Sequence, residues 1–315
     1  MNILITGGAG YIGSMLVRKL YESDIKFDKI TVFDNLIYKQ VSLAEYCYRD
    51  DFEFINGDVR RKEEFLPLLK EADVIVPLAA YVGFPACDKH YEESTQVNFG
   101  QIEFILNNTS KDQKIVYPNT DSAYGKTPGD DLCTEETPLN PTSHYGRLKT
   151  DGERLILDAG HGVVLRLATV FGVSPRMRLD LLINDFTYKA VNDGYIVLFE
   201  SNFQRNFIHV QDVANAFVFA IQNYDKMEGE VYNAGLSSGN MSKMELAQKI
   251  KEHVPKFIIH QEEFASDPDE RNYIVSNAKL EGLGWKCDLT VDHGIKELIK
   301  AYRMITHSNR KYTNL

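Results

Sequence analysis

The stretch Ile3-Leu-Ile-Thr-Gly-Gly-Ala-Gly-Tyr-Ile-Gly13 predicts the fold of the first half of the chain. Residues 3–6 form an apolar run of the length of a short buried strand. Residues 15–21 carry apolar side chains at the spacing of an amphipathic helix. Glycines fill the turn between the two. A strand, a glycine-rich turn and a helix in this order are the context in which such glycines bind a dinucleotide.

Each glycine of the turn has its own physical task. Gly7 permits the tight turn, Gly10 lets backbone amides approach a diphosphate at the helix N-terminus, and Gly13 lets the helix pack closely on the strand. A second predicted strand ends at Asp34, 21 residues after Gly13. Its carboxylate can accept hydrogen bonds from ribose hydroxyls and would repel a 2′-phosphate, so we predict NAD as cofactor. A glycine turn followed by a strand-capping Asp is the alternative.

Composition excludes several classes of protein. The 315 residues are 43% hydrophobic and 25% charged, as in ordinary globular proteins, and the net charge of −10 disfavours a nucleic-acid partner. The most apolar stretch, residues 74–87, is too short to cross a bilayer, so we expect no membrane partner. The first strand begins at the start of the chain, so we expect no signal peptide and a cytoplasmic location. The cysteines are far apart and predict no metal site: Cys47, Cys87, Cys133 and Cys287.

Short apolar runs alternate with helical patterns as far as residue 172. This alternation predicts an α/β fold with a Rossmann-type doubly wound parallel sheet. We assign residues 1–172 to a dinucleotide-binding domain, to which the chain returns at about residues 205–235. Residues 173–204 and 236–315 then form a smaller, discontinuous C-terminal substrate domain. Ligands of such sheets bind beyond the carboxyl ends of the strands, so the residues that follow each run carry the site.

Tyr145 and Lys149 are four residues apart, which places both side chains on one face of a helix. A nearby ammonium group favours the phenolate form of a tyrosine, which can then remove a proton from a hydroxyl group. Thr120, at the end of a predicted strand, can hydrogen-bond the reacting oxygen. Together these three residues predict oxidation of an alcohol by NAD, or the reverse reaction. A helix with an exposed Lys and a Tyr packed on the sheet is the structural alternative.

Several segments together carry a resemblance to a known family. The chain resembles the extended short-chain dehydrogenases/reductases of the nucleotide-sugar epimerase/dehydratase family over nearly its full length. The matching segments are residues 6–13, 57–60, 78–80, 120–125, 145–149, 166–172, 205–212, 233–235 and 283–285, together with Asn98.

The resemblance implies roles for further residues at the cofactor. It assigns Asp58 and Val59 to the adenine and gives Asn98 a structural and supporting role near the site. It places the backbone of residues 78–80 along the cofactor. A loop-capping Asp is the alternative for Asp58. The full cofactor set is Gly7, Gly10, Tyr11, Ile12, Gly13, Asp34, Asn35, Asp58, Val59, Leu78, Ala79, Ala80, Asn98, Tyr145 and Lys149.

The same resemblance implies a nucleotide-diphospho-sugar substrate. Arg205 and Arg271 match positions that bind the substrate diphosphate, and a planar guanidinium group suits phosphate oxygens. Surface ion pairs are the alternative for both arginines, and a solvated helical Asn is the alternative for Asn184. The full substrate set is Tyr81, Asp121, Ser122, Asn184, Arg205 and Arg271.

Thr120 is followed by Asp121-Ser122, which departs from two related activities. Dehydratases of the family place an Asp-Glu pair there, and enzymes that also epimerise C3 or C5 place a cysteine at the second position. Oxidation at C4 of the sugar remains, ending in a 4-keto sugar or, as the alternative, in 4-epimerisation of a UDP-hexose type substrate. Residues 164–172 and 178–186 resemble the GDP-manno-heptose 4-dehydrogenases of bacterial capsular polysaccharide synthesis.

Two further expectations concern partners and function class. Family members pair two helices per subunit across a dimer interface, so the resemblance implies a homodimer with a four-helix contact made by residues 91–107 and 145–157. Apolar stripes that only cover the sheet are the alternative. A redox-sensing regulator would keep the glycines and Asp34 but would not need Thr120, Tyr145 and Lys149. The complete trio therefore favours an enzyme.

Overall fold

The computed structural model describes residues 1–127, 132–262, 271–305 and 312–314. In these ranges the strands are β1 Asn2–Thr6, β2 Lys29–Asp34, β3 Phe52–Asn56, β4 Val74–Pro77, β5 Lys114–Thr120, β6 Leu132–Cys133, β7 Val163–Leu167, β8 Thr169–Phe171, β9 Tyr195–Phe199, β10 Gln204–Arg205, β11 Phe207–His209, β12 Val231–Ala234, β13 Met241–Ser242, β14 Ile258–Glu262 and β15 Ile274–Val275. The α-helices are α1 Tyr11–Glu22, α2 Lys62–Glu71, α3 Phe84–Lys89, α4 Tyr91–Thr95, α5 Gln101–Asn108, α6 His144–Asp158, α7 Leu182–Asn192, α8 Val210–Gln222, α9 Tyr224–Met227, α10 Lys243–His253, α11 Ala278–Gly282 and α12 Val291–Tyr302. A π-helical turn, Gln96–Gly100, joins α4 to α5.

Seven parallel strands form the main sheet, in the order β12-β7-β5-β4-β1-β2-β3. The order runs outward in both directions from β1 and β4, so the carboxyl ends of all seven strands lie along one edge. This confirms the predicted doubly wound Rossmann-type sheet. Parallel strands are buried on both faces, which explains why β4 is a continuous apolar run and why β7 is apolar except for Arg166, whose charge is paired.

Neighbouring residues of each strand pack into different layers. Ile3 and Ile5 of β1 belong to the hydrophobic cluster that includes α1 and α8, whereas Leu4 belongs to the cluster that includes α2, α5 and α6. This follows from the alternation of side chains along a strand. Helices therefore cover both faces of the sheet, and α6, which carries Tyr145 and Lys149, lies against β5.

The chain leaves the sheet after β7 and returns to it before its C-terminal part. A separate hydrophobic cluster unites α7, α10 and α12 with β9. Between these helices, β11 pairs with β8, α8 packs on α1, and β12 joins the main sheet beside β7. We keep the division into a dinucleotide-binding and a substrate domain as a proposal. None of the helices described combines the length and apolar composition that a membrane span requires.

A buried ion pair ties α6 to the sheet. Arg166 of β7 donates from Nη2 to Glu153 Oε1 (2.6 Å) and from Nε to Glu153 Oε2 (3.0 Å), and both side chains are at least 95% buried. Asn119 of β5 donates to the same carboxylate, and Arg166 also donates to Tyr124 Oη, which donates to Asn233 of β12. The pair therefore connects α6 with three strands of the sheet.

We expect Glu153→Gln to lower the free energy of unfolding by about 3–5 kcal/mol, because it leaves the Arg166 guanidinium buried without a carboxylate. Glu22→Gln is the matched control, since it removes the exposed partner of Arg18 and should cost less than about 1 kcal/mol. Urea denaturation of both variants measures the difference. Equal, small losses in the two variants would show that the buried pair does not hold α6 in place.

Candidate active site

A cavity of about 770 Å³ lies at the carboxyl edge of the main sheet. Six residues at or just after the carboxyl ends of strands in the main sheet line it, as the sequence predicts for this sheet: Gly7, Asp34, Asp58, Leu78, Thr120 and Ala168. The other predicted residues that line it are Gly10, Tyr11, Ile12, Gly13, Asn35, Val59, Ala79, Ala80, Tyr81, Ser122, Tyr145, Lys149, Arg205 and Arg271. One cavity thus brings together the predicted cofactor turn and the predicted catalytic trio.

The glycine turn leaves no room for side chains. Gly7 has φ +66°, and a Cβ atom there would lie 2.5 Å from the backbone N of Ala79, while one at Gly13 would lie 2.5 Å from the Cα of Gly8. Gly10 is the N-cap of α1 and brings no side chain to cap the free N–H groups of the first turn. These N–H groups can therefore bind a diphosphate at the positive end of the helix. The turn fits the diphosphate of NAD.

The Asp34 carboxylate lies at the end of β2 beside the glycine turn. Its Oδ2 accepts a hydrogen bond from the Ala9 N–H (3.1 Å), and its Oδ1 accepts one from the Leu36 N–H (2.8 Å). Burial raises the pKa of Asp34, and these two N–H groups oppose the increase. Gln40 Nε2 also donates to Oδ1 (3.4 Å). Since each carboxylate oxygen has two acceptor positions, Oδ2 can still accept from a ribose hydroxyl. The geometry suits the ribose of NAD.

Asp58 is held in place by its neighbours. Arg60 donates from Nη2 to Asp58 Oδ2 (2.6 Å) and from Nε to Asp58 Oδ1 (2.9 Å), and Asn35 donates to Oδ2 (3.3 Å). The hydrogen bonds from Arg60 lower the pKa of Asp58 to about 2. The carboxylate therefore stays ionised at neutral pH and offers a fixed acceptor at the cavity wall.

A hydrogen-bonded chain fixes the segment after β4. The Thr6 hydroxyl accepts from the Ala79 N–H (3.2 Å) and donates to Gln101 Oε1 (2.7 Å), and Gln101 Nε2 donates to the Ala79 carbonyl (3.0 Å). Asn98 accepts from the Tyr81 N–H (2.9 Å) and donates to the Tyr81 carbonyl (2.8 Å). Asn98 does not line the cavity, so it supports the site through Tyr81. Sequence reasoning missed Thr6 and Gln101, because single polar residues in a strand and a helix give no motif.

Thr120, Ser122 and Arg271 form a connected group. The hydroxyl groups of Thr120 and Ser122 lie 3.0 Å apart, and Thr120 Oγ1 also accepts from the Ser122 N–H (3.2 Å). Arg271 donates to Ser122 Oγ. The C-terminal part of the chain thus reaches the end of β5, and the residue that replaces the glutamate of the dehydratases is held by an arginine.

Tyr145 and Lys149 lie in the first turns of α6. The Ser143 hydroxyl caps this helix by accepting from the Gly146 N–H (3.1 Å). The Lys149 ammonium is 4% exposed and lies 4.0 Å from the centre of the Tyr117 ring, a cation–π contact. Its charge is therefore held beside the sheet, in the wall of the cavity.

Burial controls the titration of both groups. It raises the pKa of Tyr145 above its usual range, opposed by the positive charges of Arg178 and Arg271, and it lowers the pKa of Lys149 to about 7. The expectation that a nearby ammonium lowers the pKa of Tyr145 does not hold for the protein alone, because burial of the phenol outweighs the opposing charges, which are those of Arg178 and Arg271.

Two predicted substrate residues do not line the cavity. Asp121 is 1% exposed, and both of its carboxylate oxygens are buried without a hydrogen-bond partner among the residues described. Burial raises its pKa well above the usual range. Asn184 is fully buried: it accepts from the Gly172 N–H (3.0 Å) and donates to the Arg178 carbonyl (2.7 Å). The prediction of substrate contact is corrected for both, because the backbone turns Asp121 inward and Asn184 fastens the loop before α7.

Sequence reasoning also missed two cavity-lining cations, Arg176 and Arg178. They alternate along Ser174-Pro-Arg-Met-Arg178, and the signal was the return of arginine at every second position. Arg178 pairs with Asp180 (2.6 Å). In the part of the chain that the structure describes, no group of three His, Cys, Asp or Glu side chains could hold a metal ion.

Known proteins share this architecture. The model of the NAD dependent epimerase/dehydratase family matches residues 3–235. The low-salt glycan biosynthesis protein Agl12 of Haloferax volcanii is 29% identical, with 96% of this chain and 98% of that protein covered. The structure of dTDP-glucose 4,6-dehydratase from Bacillus anthracis, in complex with NAD, is 25% identical with a TM-score of 0.81, covering 96% of this chain and 97% of that one.

A second solved structure is similar in fold. UDP-glucuronic acid 4-epimerase from Bacillus cereus, in complex with UDP-glucuronic acid and NAD, has a TM-score of 0.85 at 23% identity and covers 97% of this chain and all of that one. The family match spans well over half of the chain, from β1 to the end of β12, and includes the glycine turn and the helix of Tyr145 and Lys149. This chain is therefore an enzyme that belongs to the NAD dependent epimerase/dehydratase family, and its cofactor is NAD.

Proposed function

We propose that this enzyme oxidises C4 of a nucleotide-diphospho-sugar to the 4-keto sugar. The observation that carries the proposal is that Thr120, Tyr145 and Lys149 line the same cavity as the glycine turn and Asp34. An alcohol bound there is within reach of a proton acceptor and of a cofactor. A regulator that only binds NAD has no use for this trio.

The chemistry assigns one task to each side chain. In its phenolate form Tyr145 takes the proton of the C4 hydroxyl, Thr120 hydrogen-bonds the reacting oxygen, and Lys149 holds the nicotinamide ribose and supplies positive charge. NAD, when bound, accepts the hydride that leaves C4. The products are a C4 carbonyl, NADH and a proton held by Tyr145, so atoms and electrons balance. Arg178 and Arg271 also favour the phenolate form of Tyr145 by their charge.

The charges around the cavity favour a diphosphate. The chain carries a net charge of −10, yet arginines cluster in this cavity. We assign Arg205 and Arg271 to the substrate diphosphate, since one guanidinium group can donate two parallel hydrogen bonds to phosphate oxygens. The family match and the dTDP-sugar enzyme of Bacillus anthracis support a sugar nucleotide as the substrate class.

Net oxidation and 4-epimerisation use the same trio. Ser122, held by Thr120 and Arg271, offers no acid or base for loss of water, so we place dehydration below both. Return of the hydride to the other face of the sugar would make the enzyme a 4-epimerase, which is the second candidate. A GDP-linked substrate, GDP-manno-heptose, stays a prediction that rests on residues 164–172 and 178–186. The cytoplasmic location and a surface-polysaccharide pathway are proposals as well.

A homodimer is also proposed. In the structure, helices α4, α5 and α6 cover the predicted contact regions, and α5 and α6 pack side by side. The same helices from a second copy would complete a four-helix contact. Light scattering of the purified enzyme measures the mass, for which the proposal predicts twice that of one chain.

Incubation with a panel of GDP-, UDP- and dTDP-linked sugars tests the reaction. We expect one sugar nucleotide to lose two hydrogens, detected by mass spectrometry of the product. An unchanged mass with inverted C4 stereochemistry would select the epimerase instead. Loss of a water molecule would contradict the argument from Ser122, and absence of any reaction across the panel would contradict the substrate class.

Replacement of Tyr145 by Phe removes the proposed proton acceptor and keeps the ring. We expect turnover to fall by about 10²–10⁴-fold, the usual range for loss of a general base, with NAD still bound. Tyr195→Phe, on the exposed face of β9, is the matched control and should not change turnover. Turnover that survives in the Tyr145 variant would refute the proposed mechanism.

Lys149→Met tests the buried ammonium by protein stability. The pKa of Lys149 is about 7 in the folded protein and about 10.4 in an unfolded chain, so the unfolded chain binds the extra proton between these values. Stability therefore rises with pH in this window, and burial of the cation costs most at pH 7 and below. We expect the variant without cofactor to be more stable than the native enzyme at pH 7, by on the order of a few kcal/mol.

The same variant should lose about half of this advantage by pH 9, because Lys149 of the native enzyme is then neutral in the folded state, while the unfolded chain still binds the proton up to about pH 10.4. Urea denaturation at pH 7 and pH 9 measures both differences. An advantage that stays constant with pH would mean that packing, not charge, explains it, and a less stable variant at pH 7 would contradict the assigned pKa.

A further inference from the structure

Arg176 lies in the loop between β8 and α7 and lines the cavity, although no motif assigns it a role. It is 3% exposed. Its guanidinium carbon lies 4.4 Å from the centre of the Tyr38 ring, in the loop that follows Asp34. The side chain therefore reaches from the proposed substrate domain to the cofactor half of the cavity.

The charge of Arg176 has no direct counter-ion among the residues described, although Asp180 and Asp34 act on it electrostatically from a greater distance. No carboxylate among them lies within ion-pair distance, and the buried Nε has no hydrogen-bond partner there. Nη2 donates to the Thr313 carbonyl (3.2 Å). Arg178, two residues later, differs because Asp180 holds it from two sides (2.6 and 3.3 Å). A buried guanidinium without a counter-ion is unfavourable unless an anion joins it.

The loop that carries Arg176 is fastened to the start of α1. Tyr11 Oη donates to the Gly172 carbonyl (2.8 Å), and Ser174 Oγ donates to the Tyr11 carbonyl (2.6 Å). The Ser174 and Ser14 hydroxyl groups lie 3.2 Å apart. These bonds hold the loop beside the N-terminal turn of α1, whose free N–H groups form the proposed diphosphate site.

We propose that Arg176 binds the diphosphate of NAD from the side opposite the glycine turn. The α1 N–H groups and the Arg176 guanidinium then share the negative charge, and Tyr38 supports the guanidinium plane. The substrate diphosphate is the other possible anion. Contact with Tyr38 and the fastening to α1 place Arg176 at the cofactor, whereas Arg271 reaches Ser122 at the end of β5. The proposal goes beyond the catalytic trio and rests on the proposed placement of NAD at Gly10 and Asp34.

Calorimetric titration of the cofactor-free enzyme with NAD, ADP and adenosine tests the proposal. We expect Arg176→Gln to weaken the binding of NAD and ADP by about ten- to hundredfold, which is the usual effect of losing one charge-assisted hydrogen-bonding group. The binding of adenosine should not change. The affinity of Arg176→Lys for NAD and ADP should lie between those of the native enzyme and Arg176→Gln, because lysine keeps the charge but loses the planar guanidinium group. Arg18→Gln, which removes an exposed arginine of α1 that does not line the cavity, is the matched control and should bind NAD as the native enzyme does.

Thermal unfolding separates binding from folding. Since the substitution removes a buried cation without a carboxylate partner in the described chain, the cofactor-free Arg176→Gln enzyme should melt at or above the native temperature. A clear drop, with equal losses for adenosine and ADP, would make Arg176 a structural residue and overturn the proposal.

Other results of the titrations would also overturn the proposed role of Arg176 or the placement of the cofactor. UDP, GDP and NADP are titrated in the same way. Weaker binding of UDP or GDP with unchanged binding of NAD would move Arg176 to the substrate diphosphate, and a loss confined to NADP would move it to the ribose; either result overturns the proposal. If the native enzyme bound neither NAD nor ADP, the placement of the cofactor would fail. If it bound both and Arg176→Gln bound them equally well, only the role of Arg176 would fail.

Discussion

The buried ion pair between Glu153 and Arg166 is the interaction on which the geometry of this active site depends. Glu153 follows Tyr145 and Lys149 at intervals of four residues, so the three side chains share one face of α6. Arg166 of β7 binds Glu153 and so holds the C-terminal part of that face against the strand. Gly152 allows α6 to pack close to β5, because a Cβ atom at this position would collide with the Tyr117 hydroxyl. The ion pair thus sets the direction in which the catalytic side chains point.

The cofactor half obeys a second constraint, which is close contact between backbones. Gly7 and Gly13 bring the turn, the strand and α1 closer together than any side chain would permit. The parallel sheet then places the end of β1 and the end of β5 along one edge. Two sites that are more than one hundred residues apart in sequence therefore meet in one cavity, which Arg176 also lines.

Local sequence patterns predicted the parallel sheet and many of the residues that line the cavity, but not the residues whose role depends on distant partners. The glycine turn, the strand ends and the spacing of Tyr145 and Lys149 depend on short-range geometry, so the sequence reports them directly. Asp121 and Asn184 lie beside motifs but turn into the protein, and periodicity does not encode this rotation. Arg176 and Glu153 act through partners that only the tertiary fold provides. The directions of the pKa shifts of Tyr145 and Lys149 also depend mainly on burial, which the spacing of the two residues does not report.

Transfer of deuterium from C4 of the sugar tests the central claim most directly. The sugar nucleotide on which the enzyme acts is labelled with deuterium at C4 and mixed with excess enzyme. After one turnover, the mass of the nicotinamide cofactor is measured by mass spectrometry. The account predicts that the deuterium is found on the reduced nicotinamide and that the Tyr145→Phe enzyme transfers none. Product whose C4 keeps both its deuterium and its original configuration, or deuterium that is released to water, would show that the cavity does not carry out oxidation at C4.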